Sequence, residues 1–173
     1  MRRVILNLAV SLDGYIAGPK GEYDWCFVDE DYGMTDFFKT IDATLMGGKT
    51  YRQIVSAGER LYPVKTNYVC TRNPDQPNSQ NLVFISDHAA EFVQKLKIES
   101  GKNIWLCGGS EIIDILLKAD LIDEMMLSIH PLILGGGLPL FKNQDRRISF
   151  KLTGCVNYRS GLVQATYERK FSD

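Results

Sequence analysis

The sequence predicts an α/β fold, a mostly parallel sheet with helices on both faces and an antiparallel C-terminal edge. Three observations carry this expectation. Apolar runs of strand length alternate with stretches of helical period until about Leu121. Two strand-to-helix junctions are paired glycines, Gly47-Gly48 and Gly108-Gly109. Beyond Leu121 the chain is strand-rich, with Tyr158-Arg159-Ser160-Gly161 suited to a hairpin turn.

With 173 residues and 45% hydrophobic content, the chain suits one domain over residues 1–173 that buries its core without staples. A formal net charge of -1 and the lack of a long basic run argue against a nucleic-acid groove or a membrane-surface patch. An anionic ligand would have to be met locally. Cys26, Cys70, Cys107 and Cys155 lie far apart and no Cys/His cluster has zinc-ligand spacing, so no metal site is expected. The N-terminus begins like a signal peptide, but Asn7 interrupts the apolar stretch and Asp13 soon follows. It reads as a first strand, and the protein as cytoplasmic with reduced thiols.

Val4 to Val10 has the length and apolarity of a strand, and Ser11 to Gly18 leaves it as a loop. Pro19, Gly21, Tyr23 and Trp25 prolong that loop beyond a simple turn, so it reads as a binding loop or as a surface excursion held down by Trp25. Asp29 to Ile41 is an amphipathic helix with Met34, Phe37, Phe38 and Ile41 on one face. Ala43 to Met46 is a short strand, and Gly47-Gly48-Lys49-Thr50 leads from it into a helix carrying Tyr51, Ile54 and Val55. The GxxxxGK[ST] spacing of a Walker loop is absent, yet Lys49 and Thr50 suit phosphate oxygens.

Thr66 to Thr71 is strand-like, and Arg72 sits just past its end, where ligands collect in α/β sheets. A polar loop runs from Asn73 to Asn81, and Leu82 to Ile85 is another strand. Ser86-Asp87 suits the cap of a helix with Phe92, Val93 and Leu96, leaving His88 exposed in its first turn. In the central stretch from Asn103 to Leu117, Ile104 to Cys107 is a buried-type strand and Gly108-Gly109 breaks it. Ile112, Ile113, Leu116 and Leu117 then recur at helical spacing. Free N–H groups at such a helix start, with the positive end of its dipole, suit a phosphate-bearing ligand. The bland alternative is glycine used only for positive φ.

Met125 to Leu134 is a long apolar strand in which Pro131 demands a bulge or a break, and His130 reads as a packed polar residue. Gly135 to Phe141 is a rigid apolar loop. Ile148 to Val156 and Leu162 to Phe171 are the last two strands.

Several of these stretches together resemble the dihydrofolate reductase fold, and more closely its relatives that share the reductase domain of bacterial riboflavin biosynthesis. The resemblance is carried by Ala9 to Ala17, Asp24-Trp25, Asp42 to Tyr51, Trp105 to Ser110, Leu121 to Glu124 and Pro131 to Phe141, in the family's order along nearly the whole chain. It implies a dihydrofolate reductase-like three-layer sandwich and an NADPH-dependent reductase of a small pyrimidine- or pterin-type heterocycle. The activities it points to are those of a 5-amino-6-(5-phosphoribosylamino)uracil reductase or a dihydrofolate reductase. It further implies that Ala9 and Ile16 present backbone groups to the nicotinamide carboxamide. Gly47, Gly48, Lys49 and Thr50 would meet the diphosphate and the 2′-phosphate region, and Thr71 and Arg72 would hold the adenosine 2′-phosphate. Gly108, Gly109, Ser110, Glu111 and Ile112 would take the pyrophosphate. Relatives often pair, so a homodimer using the strand-rich tail is expected.

Asp24 and Asp13 are the acids nearest the expected nicotinamide. Asp24, beside Trp25, is the candidate proton donor or substrate anchor, and Asp13 is either a second acid or the structural residue of an Asp-Gly turn. Two positions depart from the family pattern. Met34 stands where folate reductases carry an acid, and Cys107 stands where riboflavin-pathway reductases commonly carry a glutamate. The alternative expectation is a non-catalytic nucleotide- or flavin-binding protein on the same fold.

Overall fold

In a computed structural model describing residues 1–74, 77–142 and 144–170, the chain opens with strand β1 (Val4–Ser11) and a short β2 (Tyr15–Ala17). Helix α1 (Met34–Thr40), β3 (Ile41–Gly47), α2 (Gly48–Ser56), β4 (Thr66–Cys70) and β5 (Leu82–Ile85) follow. Then come α3 (Ala89–Ile98), β6 (Asn103–Gly108), α4 (Ser110–Lys118) and β7 (Glu124–His130). A two-residue β8 (Leu138–Pro139) precedes the hairpin of β9 (Phe150–Asn157) and β10 (Val163–Arg169). Eight strands form one sheet in the order β5-β4-β3-β6-β1-β7-β10-β9. The pairings from β5 through to β7 are parallel, and those of β10 with β7 and β9 are antiparallel.

Strand alternation sorts the core onto two faces. Val4, Leu6, Ala43, Leu45, Ile104 and Leu106 cluster with Val93 and Leu96 of α3 and with Ile112, Ile113, Leu116 and Leu117 of α4. On the other face Ile5 and Trp105 pack with Phe37 of α1, while Met46 and Val69 meet Tyr51 and Ile54 of α2. The result is a three-layer sandwich whose parallel part is covered on both sides.

Local departures from the expected elements have local causes. Helix α1 starts only at Met34, because Gly33 is left-handed and the Asp31 carboxylate accepts hydrogen bonds from the Thr35 N–H and hydroxyl. Ser86 and Asp87 do not cap α3; His88 occupies that position with φ 55° and no side-chain cap. The stretch from Tyr15 to Ala17, expected as loop, pairs antiparallel with β8. Gly137 allows this approach, since a Cβ there would lie 2.1 Å from the Ala17 carbonyl oxygen. Strand β7 ends at His130, directly before Pro131. Phe171, expected within the last strand, lies outside the described residues, as do residues 75 and 76 of the polar loop.

The Lys97 side chain, 7% exposed, places Nζ 2.7 Å from both carboxylate oxygens of Asp123, whose Oδ2 also accepts the Val4 N–H at 2.7 Å. The pair ties α3 to the start of β1 and the approach to β7. Removing one partner strands a buried charge, so Lys97→Met should cost about 3–5 kcal/mol of stability in chemical denaturation. The exposed Lys39–Asp36 pair should matter by less than about 1 kcal/mol.

The long first loop crosses the α1/α2 face and is held there by a histidine. His130, 2% exposed, accepts the Phe27 N–H at Nε2 (3.1 Å), which puts its proton on Nδ1 for the Ser128 carbonyl (2.9 Å). The rings of Trp25 and Phe27 lie 5.2 and 4.9 Å from the imidazole. Burial lowers the pKa of His130 below its ordinary 6.5. The opened state therefore binds a proton more readily than the closed one, so the latch is at full strength above pH 6.5 and weakens as pH falls from there through the lowered native value. The protection factor of the Phe27 amide in hydrogen exchange should fall over that range. His130→Gln should remove this pH dependence.

Candidate functional site

Strands β3, β4, β5 and β6 all deliver their carboxyl ends to one edge of the sheet. The segments that leave them line a groove of about 700 Å³ that includes Gly47, Gly48, Thr71, Arg72, Ser86, His88, Gly109 and Ser110. Helices α2, α3 and α4 begin at this groove, and none has a side-chain cap. Their first-turn N–H groups are left for solvent or an anion, and the three dipoles add positive potential. Lys49, Arg52, Arg72 and Lys142 supply full charges around them. Lys49 Nζ lies 3.0 Å from Glu111 Oε1, but both side chains are mostly exposed, so the contact is weak and the lysine can turn to a ligand. That contact holds the Glu111 carboxyl below its usual range. Gly109 has φ 96°, and a Cβ on it would lie 3.3 Å from Thr50 Oγ1, so the β6–α4 turn closes against the start of α2 only as glycine.

A second cavity, of about 590 Å³, adjoins the groove on the α1/α2 face and shares Thr50, Gln53, Gly109 and Leu138 with it. Asn7, Ala9, Trp105, Ser128 and Gln164 line it from the sheet, and Met34, Tyr62 and Phe27 from the elements above. Ala9, Ser128 and Gln164 are cross-strand neighbours on β1, β7 and β10. Trp105 donates Nε1–H to the Asn7 carbonyl (2.8 Å) and packs against Phe37, Phe38 and Tyr62. Burial pushes the Cys26 thiol up to about 11 and raises Cys107 as well. Both cavity thiols are therefore protonated at neutral pH and unsuited to nucleophilic attack.

All the residues expected at a cofactor fall on these two cavities. Ala9, Ile16 and Gly108 line the second one. Gly47, Gly48, Lys49, Thr71, Arg72, Ser110, Glu111 and Ile112 line the groove, and Thr50 and Gly109 line both. The Ser110 hydroxyl is engaged by the Pro139 carbonyl, leaving its backbone N–H for a ligand.

The two expected acids are placed elsewhere. Asp13 accepts hydrogen bonds from the Ser11 hydroxyl (2.6 Å) and from the N–H groups of Leu134 (3.1 Å) and Gly135 (2.8 Å), and these depress its pKa, the serine most. Asp24 is exposed and outside the lining of either cavity. Met34 lines the second cavity, so a thioether and no carboxylate stands at that position. Sequence reasoning passed over Asn7, Ser128 and Gln164. The one visible sign was a polar residue inside an apolar strand, and their meeting depends on β-sheet register. Among the described residues no group of three His, Cys, Asp or Glu could hold a metal ion, and no helix is long and apolar enough to cross a membrane.

Known proteins resemble this chain in sequence and in fold. YyaP, an uncharacterized protein of Bacillus subtilis (strain 168), is 42% identical over 178 residues, covering 96% of this chain and 94% of YyaP. A crystal structure from Shewanella sp. PV-4, assigned to riboflavin biosynthesis, superposes with a TM-score of 0.85 at 28% identity over 98% of this chain and 99% of that one. Dihydrofolate reductase from Enterococcus faecalis, complexed with NADP(H), shares the fold at TM-score 0.70 and 22% identity over 98% and 97% of the two chains. The model of the RibD C-terminal domain matches residues 2–164, and the chain belongs to that family.

Proposed function

We propose that the chain is an NADPH-dependent reductase of a small heterocycle of pyrimidine or pterin type. The observation that carries this reading is the adjacency of two cavities of opposite character. One is a cationic groove at three helix starts, and the other is an aromatic and neutral-polar pocket joined to it through Thr50, Gln53, Gly109 and Leu138. A dinucleotide seated with its phosphates in the groove would reach the pocket with its nicotinamide. The NADP(H) complex of the Enterococcus faecalis relative supports that choice of cofactor.

The donor set suits the group. Free N–H groups of α2 and α4 would hold the diphosphate oxygens, and Thr71 and Arg72, which line the same groove, would hold the 2′-phosphate. When bound, NADPH supplies a hydride. The chain supplies orientation through the backbone at Ala9 and Ile16, and a pocket walled by Tyr62, Trp105 and Phe27. The acids lining that pocket, Glu30, Asp31 and Glu59, are exposed residues at its mouth, so the proton is delivered from solvent there. Asp13 serves as a positioning residue that joins the first loop to the 134–135 turn. A direct role for Asp24 requires the loop to move. We read the protein as cytoplasmic and as a homodimer joined along β9, where Leu152 and Val156 are about half exposed at the unpaired edge of the sheet.

Titrating NADPH and NADH while following tryptophan fluorescence should show tighter binding of NADPH. Arg72→Ala should weaken NADPH by about tenfold or more and leave NADH nearly unchanged, as expected for the loss of a charge-assisted hydrogen bond. Equal affinities for the two coenzymes would remove the 2′-phosphate assignment. A panel of pyrimidines and pterins should then oxidise NADPH. The absence of a buried acid among the described lining residues favours the alternative, binding without turnover, and silence across the panel would establish it.

A further inference from the structure

The two cavities differ in charge as well as in shape. Among the described residues, no lysine or arginine lines the inner cavity, whereas Glu30, Asp31 and Glu59 all do. Asp31 is held ionised, because the hydrogen bonds from Thr35 lower its pKa. Glu59 accepts the Tyr23 hydroxyl at 3.2 Å. The only histidine there, His130, has both ring nitrogens engaged, and burial favours its neutral form. A phosphate entering this cavity would give up hydration, face like charge and find no cation in return.

The floor offers a different chemistry. Gln164 donates Nε2–H to the Tyr32 carbonyl (3.2 Å) and to Ser128 Oγ (3.3 Å). That leaves the Ser128 hydroxyl proton and the Gln164 carbonyl oxygen for a ligand. Among the described residues the Asn7 side-chain N–H₂ meets the Met34 thioether, at 3.8 Å, and so remains a donor in need of a better partner. Neutral donors and acceptors side by side match the alternating N–H and C=O groups of a lactam or ureide ring.

We infer that the heterocycle taken by this cavity carries no phosphate: it is a neutral or cationic ring compound, read by Asn7, Ser128 and Gln164, whose substituents leave through an acidic mouth. The inference rests on the proposal that this cavity seats the substrate. It parts the chain from the phosphoribosylated uracil that the riboflavin-pathway resemblance implies.

Three probes decide it. They share a 6-aminouracil ring and a five-carbon tether and end in a hydroxyl, an ammonium or a phosphate. Binding to the full chain is followed by tryptophan fluorescence with NADP⁺ at saturation, which keeps the groove cations occupied. The hydroxyl and ammonium probes should bind, and the phosphate probe should bind about tenfold more weakly or worse at low salt. Added salt should narrow that gap in the unaltered chain, and Glu30→Gln/Glu59→Gln should narrow it without salt. A phosphate probe that binds as tightly as the hydroxyl probe overturns this inference and leaves the heterocycle reading standing. Failure of all three probes to bind overturns both.

Discussion

Because β1, β3, β4, β5, β6 and β7 run parallel, each crossover must leave and re-enter the sheet at fixed ends, and the helices that follow β3, β5 and β6 all begin at one edge. Their unpaired N–H groups are thereby gathered in one place. The core enforces this arrangement, since α3 and α4 are fastened on one face by Val93, Leu96, Ile112, Ile113, Leu116 and Leu117, and α2 on the other by Tyr51 and Ile54. The side chains needed to close the sandwich thus also aim the backbone donors at that edge.

The inner cavity depends on a different part of the fold. It sits where the parallel sheet gives way to the antiparallel β7–β10–β9 ladder, and its floor combines β1 and β6 with β7 and β10. Its roof comes from the long first loop, fastened by the Phe27 N–H to a buried imidazole, by the Tyr23 hydroxyl to Glu59 and by the Gln53 amide to the Gly21 carbonyl. On the proposed function, cofactor chemistry and substrate choice would be carried by separable regions. The groove can stay constant while substitutions on β7, β10 and the loop retune the pocket, as expected of a fold that hosts more than one activity.

Much of the groove was readable from residue order alone, because each of its parts is local: a strand, two glycines, a hydroxyl or cation, then helical spacing. Gly47 to Thr50 and Gly108 to Ile112 needed no knowledge of distant partners. The pocket was not readable in this way. Ser128 and Gln164 are 36 residues apart and meet only through antiparallel register. The β2–β8 pairing joins segments that carry no strand signal of their own, and the start of α3 at His88 rests on a left-handed backbone that histidine adopts without the usual caps. Asp13 illustrates the converse case. Its Asp-Gly context offered both a chemical and a structural reading, and only the positions of the Leu134 and Gly135 amides favour the latter.

The small β2–β8 ladder has one mechanical consequence. Pro139 is grasped by the Ser110 hydroxyl at the first turn of α4, Leu140 donates its N–H to Gly14, and Leu138 borders both cavities. The segment from 138 to 140 thus behaves as a stiff tie-rod between the anion-facing end of one helix and the wall of the pocket. A ligand seated at that helix start would therefore bear on a segment that also walls the inner chamber.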